Sequence, residues 1–259
     1  ITVCPSIMPQ KLSIPWLEPD DPFPATHLAC TGESGMEGLL AAGGQLNRER
    51  LLGAYSQGIF PWFSEGQPIL WWSPNPRMVL MVDAFRCHRS LRQTIKQWQR
   101  SGQYRLSLDE AFESVIQACA SKPRVGQSGT WILPPMQEAY TEFHRAGHAH
   151  SLEVWKNGQL IAGLYFVNLG RAIFGESMFS YERDASKVAL CALVSAAKAQ
   201  GASWIDCQQN TSHLASMGAA PIPRHQFEAL LRQDCDQANL QWDERWLYWD
   251  AMLQLPRSA

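Results

Sequence analysis

Apolar positions along the chain switch between a three-to-four-residue period and a two-residue period, and the order of those switches predicts the elements. After Gly43-Gly44, the residues Leu46, Leu51, Leu52, Ala54 and Tyr55 predict a short helix that stops at Gly58. Ile59 to Phe63 follows, then a strand over Ile69 to Trp72, a Ser73-Pro74-Asn75-Pro76 turn and a second strand from Met78 to Val82. Phe85, Cys87, Leu91, Ile95 and Trp98 give a helix one apolar side, with a strand from Tyr104 to Leu108 and a helix from Glu110 to Ala120 after it. A Gly/Ser/Arg loop runs from Ser121 to Thr130, and a helix from Pro135 to Arg145 ends at Gly147. Three strands follow, at His150 to Lys156, Gln159 to Leu169 and Ala172 to Gly175, the first two joined by a hairpin turn at Asn157-Gly158. Asp184 is placed to cap a helix reaching Ala199, Gly201 closes it, and Ser203 to Cys207 is a further strand.

Strand, strand, strand, helix, strand is the order of a mixed sheet with a helix packed on it, so the fold class expected is α+β and not doubly wound. Residues 1 to 38 contain Pro5, Pro9, Pro15, Pro19, Pro22 and Pro24, a composition that predicts an irregular segment wrapping the body without packing into it. At the other end Trp242, Trp246, Trp249 and Leu253 recur at i, i+4, i+7 and i+11, predicting an amphipathic helix that packs back on the body. The expected division is an N-terminal lobe over 1–82, a main domain over 83–235 and a helical tail over 236–259.

Composition narrows the class. The chain has 259 residues, 46% of them apolar and 11 of them tryptophan, which suits a folded protein with its own core. Its net charge of −2 leaves no global field for nucleic acid, so any such contact needs a local patch. Seven cysteines, odd in number and without a C-x-x-C pair, argue against a disulfide framework or a zinc knuckle and for a reducing compartment. The longest uncharged apolar run, Val188 to Ala197, falls well short of the ~18 residues of a membrane helix. With no signal-peptide pattern at the start, a soluble cytoplasmic protein is expected. Gly-x-Gly-x-x-Gly, P-loop, Gly-x-Ser-x-Gly and His-Glu-x-x-His patterns are absent, so no familiar cofactor is expected.

Four groups of residues carry possible chemistry. Between Asp83 and Arg105 six basic side chains face one acid. Among them Arg89, Arg92, Lys96 and Arg100 share one side of a helix, as a stripe following a phosphate backbone or as a solvated face. Trp62 and Trp131 lie in turn-rich sequence, as platforms for a nucleobase or as lids over a core. Glu176 follows a strand, and Asp206 and Gln208, two apart, point together if their strand continues through Cys207. Such a carboxylate and amide suit the handling of an amine nucleophile, or else a strand-end turn or helix cap. His144, His148 and His150 have metal-like spacing, but Gly147 breaks the helix between them, so no metal site is expected.

The chain also resembles the bacterial leucyl/phenylalanyl-tRNA-protein transferases. The resemblance rests on Gly38-Leu39-Leu40-Ala41-Ala42-Gly43-Gly44, Gly58-Ile59-Phe60-Pro61-Trp62-Phe63, Ile69-Leu70-Trp71-Trp72-Ser73-Pro74 and Gly129-Thr130-Trp131-Ile132. It continues through Gly147-His148-Ala149-His150-Ser151, Gly175-Glu176-Ser177-Met178-Phe179-Ser180, Ala185-Ser186-Lys187 and Ile205-Asp206-Cys207-Gln208. In all it spans Gly38 to Leu231, in the family's order.

The resemblance implies a small N-terminal lobe plus a GNAT-like, acetyltransferase-like C-terminal domain. It implies transfer of Leu, Phe or, less efficiently, Met from aminoacyl-tRNA to the N-terminal Arg or Lys of a protein, marking it for degradation. Carried over, Trp62 and Trp131 flank the tRNA's 3′-terminal adenosine, and Asp206 with Gln208 handles the attacking α-amine. Asp206 acts there as a base, or orients the amine while a ribose hydroxyl relays the proton. Glu176 helps bind the acceptor's basic N-terminal residue or orients that site. Arg89, Arg92, Lys96 and Arg100 meet the acceptor stem, and Leu164, Ile173, Leu190, Leu193 and Ala197 form the aminoacyl side-chain pocket. A monomer without a cofactor is expected.

That pocket has fewer aromatic rings than some members carry, and Gln209-Asn210-Thr211 stands where members commonly have an apolar pair and another polar residue. Two rival readings have different requirements. A CoA-dependent N-acyltransferase needs an Arg/Gln-x-x-Gly-x-Gly/Ala turn, which is missing. A noncatalytic tRNA-binding module needs the stripe and tryptophans but not Glu176, Asp206 and Gln208.

Overall fold

The computed structural model describes residues 14–32, 35–122 and 130–256. Part of the proline-rich segment (1–13) and most of the Gly/Ser/Arg loop (123–129) lie outside these residues. In chain order the elements begin with β1 (Trp16–Leu17), β2 (Leu39–Gly43), α1 (Arg48–Tyr55), β3 (Phe60–Pro61), β4 (Leu70–Trp72), β5 (Arg77–Met81) and α2 (Arg89–Ser101). They continue with β6 (Tyr104–Leu108), α3 (Phe112–Ser121), α4 (Pro134–Arg145), β7 (Ala149–Lys156), β8 (Gln159–Leu169), β9 (Ala172–Ser180) and α5 (Ala185–Ala199). The last are β10 (Trp204–Gln208), α6 (Ser212–Ser216), β11 (Ala220–Ile222), α7 (Arg224–Asp234) and α8 (Trp249–Leu253).

These form a mixed α+β protein with two sheets, ordered β1-β2-β4-β3 and β11-β5-β10-β9-β8-β7-β6. Strands β6 to β9 are antiparallel neighbours, whereas β9 and β10, joined through α5, run parallel. Helix α5 is apolar nearly all round because it is buried on nearly every side, packing on β7, β8 and β9. Phe112, Val115 and Ile116 of α3, with Met136, Tyr140 and Phe143 of α4, form a second core that also takes in Tyr165 and Phe174.

Strand β5, expected in the N-terminal lobe, is instead an inner strand of the large sheet, bonded to both β10 and β11. Its run Arg77-Met78-Val79-Leu80 is buried on both faces, as an interior strand requires. The segment after residue 13 packs as well as wraps. Leu17 and Ala29 are buried, and Phe23 meets Trp71 edge-on at 4.9 Å.

The tail is not one continuous helix. A 3-10 turn over Glu244–Trp246 precedes the short α8, and Trp242 lies outside both. The tail still covers the body. Met252 and Leu255 are buried, and Trp242 donates to Asn168 Oδ1 at 3.0 Å.

Asp184 does not cap α5 with its side chain. It adopts a left-handed backbone (φ 64°) and accepts from Lys187 Nζ at 2.9 Å. Among the described residues no helix is long and apolar enough to cross a membrane.

Candidate active site

A cavity of ≈ 410 Å³ opens between the small sheet and the large one. Phe60, Pro61 and Trp62 line it from the small sheet, Trp131 from the segment before α4, and β8, β9, α5 and β10 from the large sheet. Its apolar wall comes from Leu164, Met178, Leu190, Leu193 and Ile205. Glu176, Gln208, Thr211 and His213 supply its polar wall.

Two irregularities in adjacent strands build the polar end. Tyr165 pairs with Ser177 and Phe166 with Gly175, so Glu176 is an extra residue in β9. Asp206 pairs with Val79 and Gln208 with Met78, so Cys207 is an extra residue in β10. Each bulge bends its strand and re-aims the side chains around it. Gln208, at φ 60°, also occupies a left-handed conformation, which costs a non-glycine residue ~1–2 kcal/mol and must be held by its surroundings.

Asp206 is the anchor that holds it. Its Oδ1 accepts from Gln208 N at 2.9 Å and Arg77 Nε at 2.9 Å, and its Oδ2 accepts from Arg77 Nη2 at 2.7 Å. Arg77 lies between the rings of Phe60 and Phe227, 4.8 and 4.6 Å away, and donates Nη1 to Gly58 O at 3.1 Å. Gly58 needs φ +74° here, and a Cβ on it would lie 2.8 Å from Phe227 Cε1.

Asp206 is fully buried and outside the cavity wall; Glu176 is the carboxylate that reaches it. Glu176 Oε1 accepts from Tyr55 Oη at 2.7 Å and Gln208 Nε2 at 2.8 Å. Among the described residues, Oε2 has only a long 3.3 Å contact from Tyr140 Oη, which is also bonded to Tyr55 Oη. One oxygen is thus saturated and the other is open to a further donor. Burial pushes the Glu176 pKa up to about 7, and the nearby Asp206 charge adds to the rise. The hydrogen bonds from Tyr55, Gln208 and Tyr140 oppose it.

A family model described as leucyl/phenylalanyl-tRNA protein transferase matches residues 79–232, and one for the N-terminal domain of the same family matches residues 44–75. The chain belongs to the leucyl/phenylalanyl-tRNA protein transferase family. A relative of that name from Albidiferax ferrireducens is 53% identical over 244 residues, covering 94% of this chain and 96% of its own. Another, from Leptothrix cholodnii, is 55% identical over 86% of this chain and 88% of its own. The solved structure of L-PGS from Bacillus licheniformis has a TM-score of 0.36 at 12% identity, covering 68% of this chain and 57% of that one. That likeness assigns no fold.

The transferase brings most of the expected residues to one cavity. Trp62, Trp131, Leu164, Glu176, Leu190, Leu193 and Gln208 line it together. Ile173 and Ala197 do not; both are fully buried in the core behind it. Met178, Ile205 and Leu214 take the wall positions that sequence reasoning did not assign. Asp206 and Gln208 do not point together, because the bulge at Cys207 breaks the two-residue period between them.

Tyr55, Tyr140 and Arg77 were also missed. The only sequence signal for Arg77 is an arginine opening an otherwise apolar strand. In the transferase the basic stripe on α2 is shorter than its spacing predicts. Arg89, Lys96 and Arg100 are exposed. Arg92 turns toward the tail, giving Nη1 to Leu253 O at 2.5 Å, Nη2 to Leu255 O and Nε to Cys87 O at 3.1 Å. His144 and His150 serve locally, bonding Ala149 O at 2.8 Å and Asp109 Oδ2 at 2.7 Å.

Proposed function

We propose that this transferase moves Leu, Phe or Met from its aminoacyl-tRNA to the α-amine of a protein beginning with Arg or Lys, marking that protein for degradation. The observation that carries the reading is the open oxygen of Glu176, set in an otherwise largely apolar cavity beside two partly exposed tryptophans. An ammonium is the complementary ligand for that oxygen. Leu164, Met178, Leu190, Leu193 and Ile205 suit an apolar side chain without β-branching, such as Leu, Met or Phe, and Trp62 and Trp131 suit the terminal adenine. Transfer of labelled Leu from Leu-tRNA to a peptide beginning with Arg, against the same peptide beginning with Ala, tests it.

An aminoacyl ester is already activated, so the protein must align two substrates and manage protons; alignment alone is worth about 7–11 kcal/mol. Glu176 holds the incoming ammonium and accepts one proton from it. The neutral amine attacks the ester carbonyl, the new C–N bond forms, and the bond from carbonyl carbon to ribose oxygen breaks. A second proton from nitrogen goes to that ribose oxygen through the neighbouring ribose hydroxyl. Gln208 orients Glu176, and Asp206, held by Arg77, is a positioning residue for Gln208 rather than the base. The antiparallel β7–β9 run and the parallel β9–α5–β10 unit support a GNAT-like assignment for the large sheet. The position of β5 supports placing the lobe boundary near residue 76. The protein acts as a cytoplasmic monomer without a cofactor.

Each tryptophan has its own expected effect. Trp62→Ala and Trp131→Ala should each weaken aminoacyl-tRNA binding by about 1–3 kcal/mol, measured by filter binding. Unchanged affinity in both would make them lids.

The α2 stripe separates into two outcomes. Neutralising Arg89, Lys96 and Arg100 together should reduce the slope of log affinity against log salt by about 2–3. Arg92→Ala should leave that slope alone and lower stability by about 1–3 kcal/mol, because it releases the tail carbonyls.

A further inference from the structure

The cavity that holds Glu176 carries a second polar group, on a wall element other than the carboxylate's own strand. His213, on α6, lines the wall, and among the described residues its imidazole has no hydrogen-bond partner. Burial and the positive charge of Lys187 hold its pKa below the usual histidine value, so it is neutral at pH 7 and free to donate one N–H. Lys187 sits on α5 three residues before Leu190, so the two share a helix face, and Leu190 lines the same cavity. Asp184 occupies one of the three ammonium donors of Lys187, at 2.9 Å, and also faces Arg183 Nε at 3.7 Å. Lys187 is not itself a wall residue, and Glu182 beside Arg183 offsets that cation, but the Lys187 charge is felt at His213 in the wall. It repels the acceptor's ammonium, which Glu176 attracts, and it favours an anion.

The anion that must accompany an adenosine in this cavity is the phosphate on its 5′ side. We propose that Lys187 and His213 bind the phosphodiester joining the tRNA's terminal adenosine to the preceding nucleotide. This rests on the reading of the cavity as the adenosine and aminoacyl site. The two substrates are then sorted by charge, the cationic terminus to Glu176 and the polyanionic strand to Lys187 and His213.

The test compares two hydrolysis-resistant probes, 3′-deoxy-3′-(leucylamino)adenosine and the same molecule bearing a 5′-(methyl phosphate), by calorimetric titration of the full chain. The phosphate should improve wild-type affinity about tenfold. Lys187→Ala and His213→Asn should each remove most of that gain, read within each variant as the ratio of its affinities for the two probes. Arg183→Ala, whose side chain is 94% exposed, should keep the gain. Equal wild-type affinity for the two probes, or a gain that survives in both the Lys187 and His213 variants, overturns the site. Wild-type protein that binds neither probe refutes the cavity reading itself, and this site with it.

Discussion

Replacing Glu176 with Gln should leave the transferase folded and able to bind aminoacyl-tRNA, yet lower kcat/KM for an Arg-peptide by about 10²–10³-fold, the usual scale for losing a positioned charge at a reacting centre. Gln keeps the volume of Glu and can still accept from Tyr55 and Gln208, but it carries no charge for an ammonium and takes no proton from it. Because burial raises the Glu176 pKa to about 7, wild-type kcat/KM should climb as pH rises through that value. The variant should lack that step. The stability dependence has the opposite sign. A carboxyl whose folded pKa lies above its unfolded value stabilises most below the unfolded pKa, and that contribution is lost as pH rises through about 7. Wild-type protein should therefore lose stability relative to Glu176→Gln between pH 4.5 and about 7, followed by urea unfolding. A wild-type profile without the step, or a variant with wild-type kcat/KM, removes Glu176 from the chemistry.

Arg77→Met should be the most destabilising single change near the site, costing about 3–5 kcal/mol, because it strands a buried carboxylate. The side chains of Arg77 and Asp206 are 1% and 0% exposed, so water cannot replace either partner. Removing both charges, as Arg77→Met with Asp206→Leu, should recover most of that stability. It should not recover transfer. Without Asp206 Oδ1 accepting from its N–H, Gln208 loses the bond that holds it at φ 60°, and its amide shifts from Glu176. Denaturant midpoints and transfer rates measured on the same preparations separate the two effects. A double variant that is stable and fully active would show that the buried pair serves stability alone.

Much of the architecture was legible because its elements are amphipathic or apolar in the ordinary way. Helix α5 and the Asn157-Gly158 hairpin follow directly from spacing and turn chemistry. What escaped was set by tertiary context. Asp206 and Gln208 look like same-face neighbours until the bulge at Cys207 turns one into the core and the other into the cavity. Glu176 reads as the residue after a strand, whereas β9 continues to Ser180 and accommodates it as the extra residue. Arg92 has the right spacing for a surface stripe, but the tail carbonyls above it and Cys87 O claim its guanidinium. Tyr55 and Tyr140 fit helical apolar positions so well that nothing in the spacing distinguishes a core ring from one whose hydroxyl supports a carboxylate.

The most direct test of the account is single-turnover transfer of radiolabelled Leu from Leu-tRNA, by wild type and by Glu176→Gln, to peptides that differ only in beginning with Arg or Ala. Wild type should transfer rapidly to the Arg-peptide and little to the Ala-peptide, and the variant should lose the Arg-peptide reaction while retaining Leu-tRNA binding. Equal transfer to both peptides, or wild-type transfer by the variant, would contradict it.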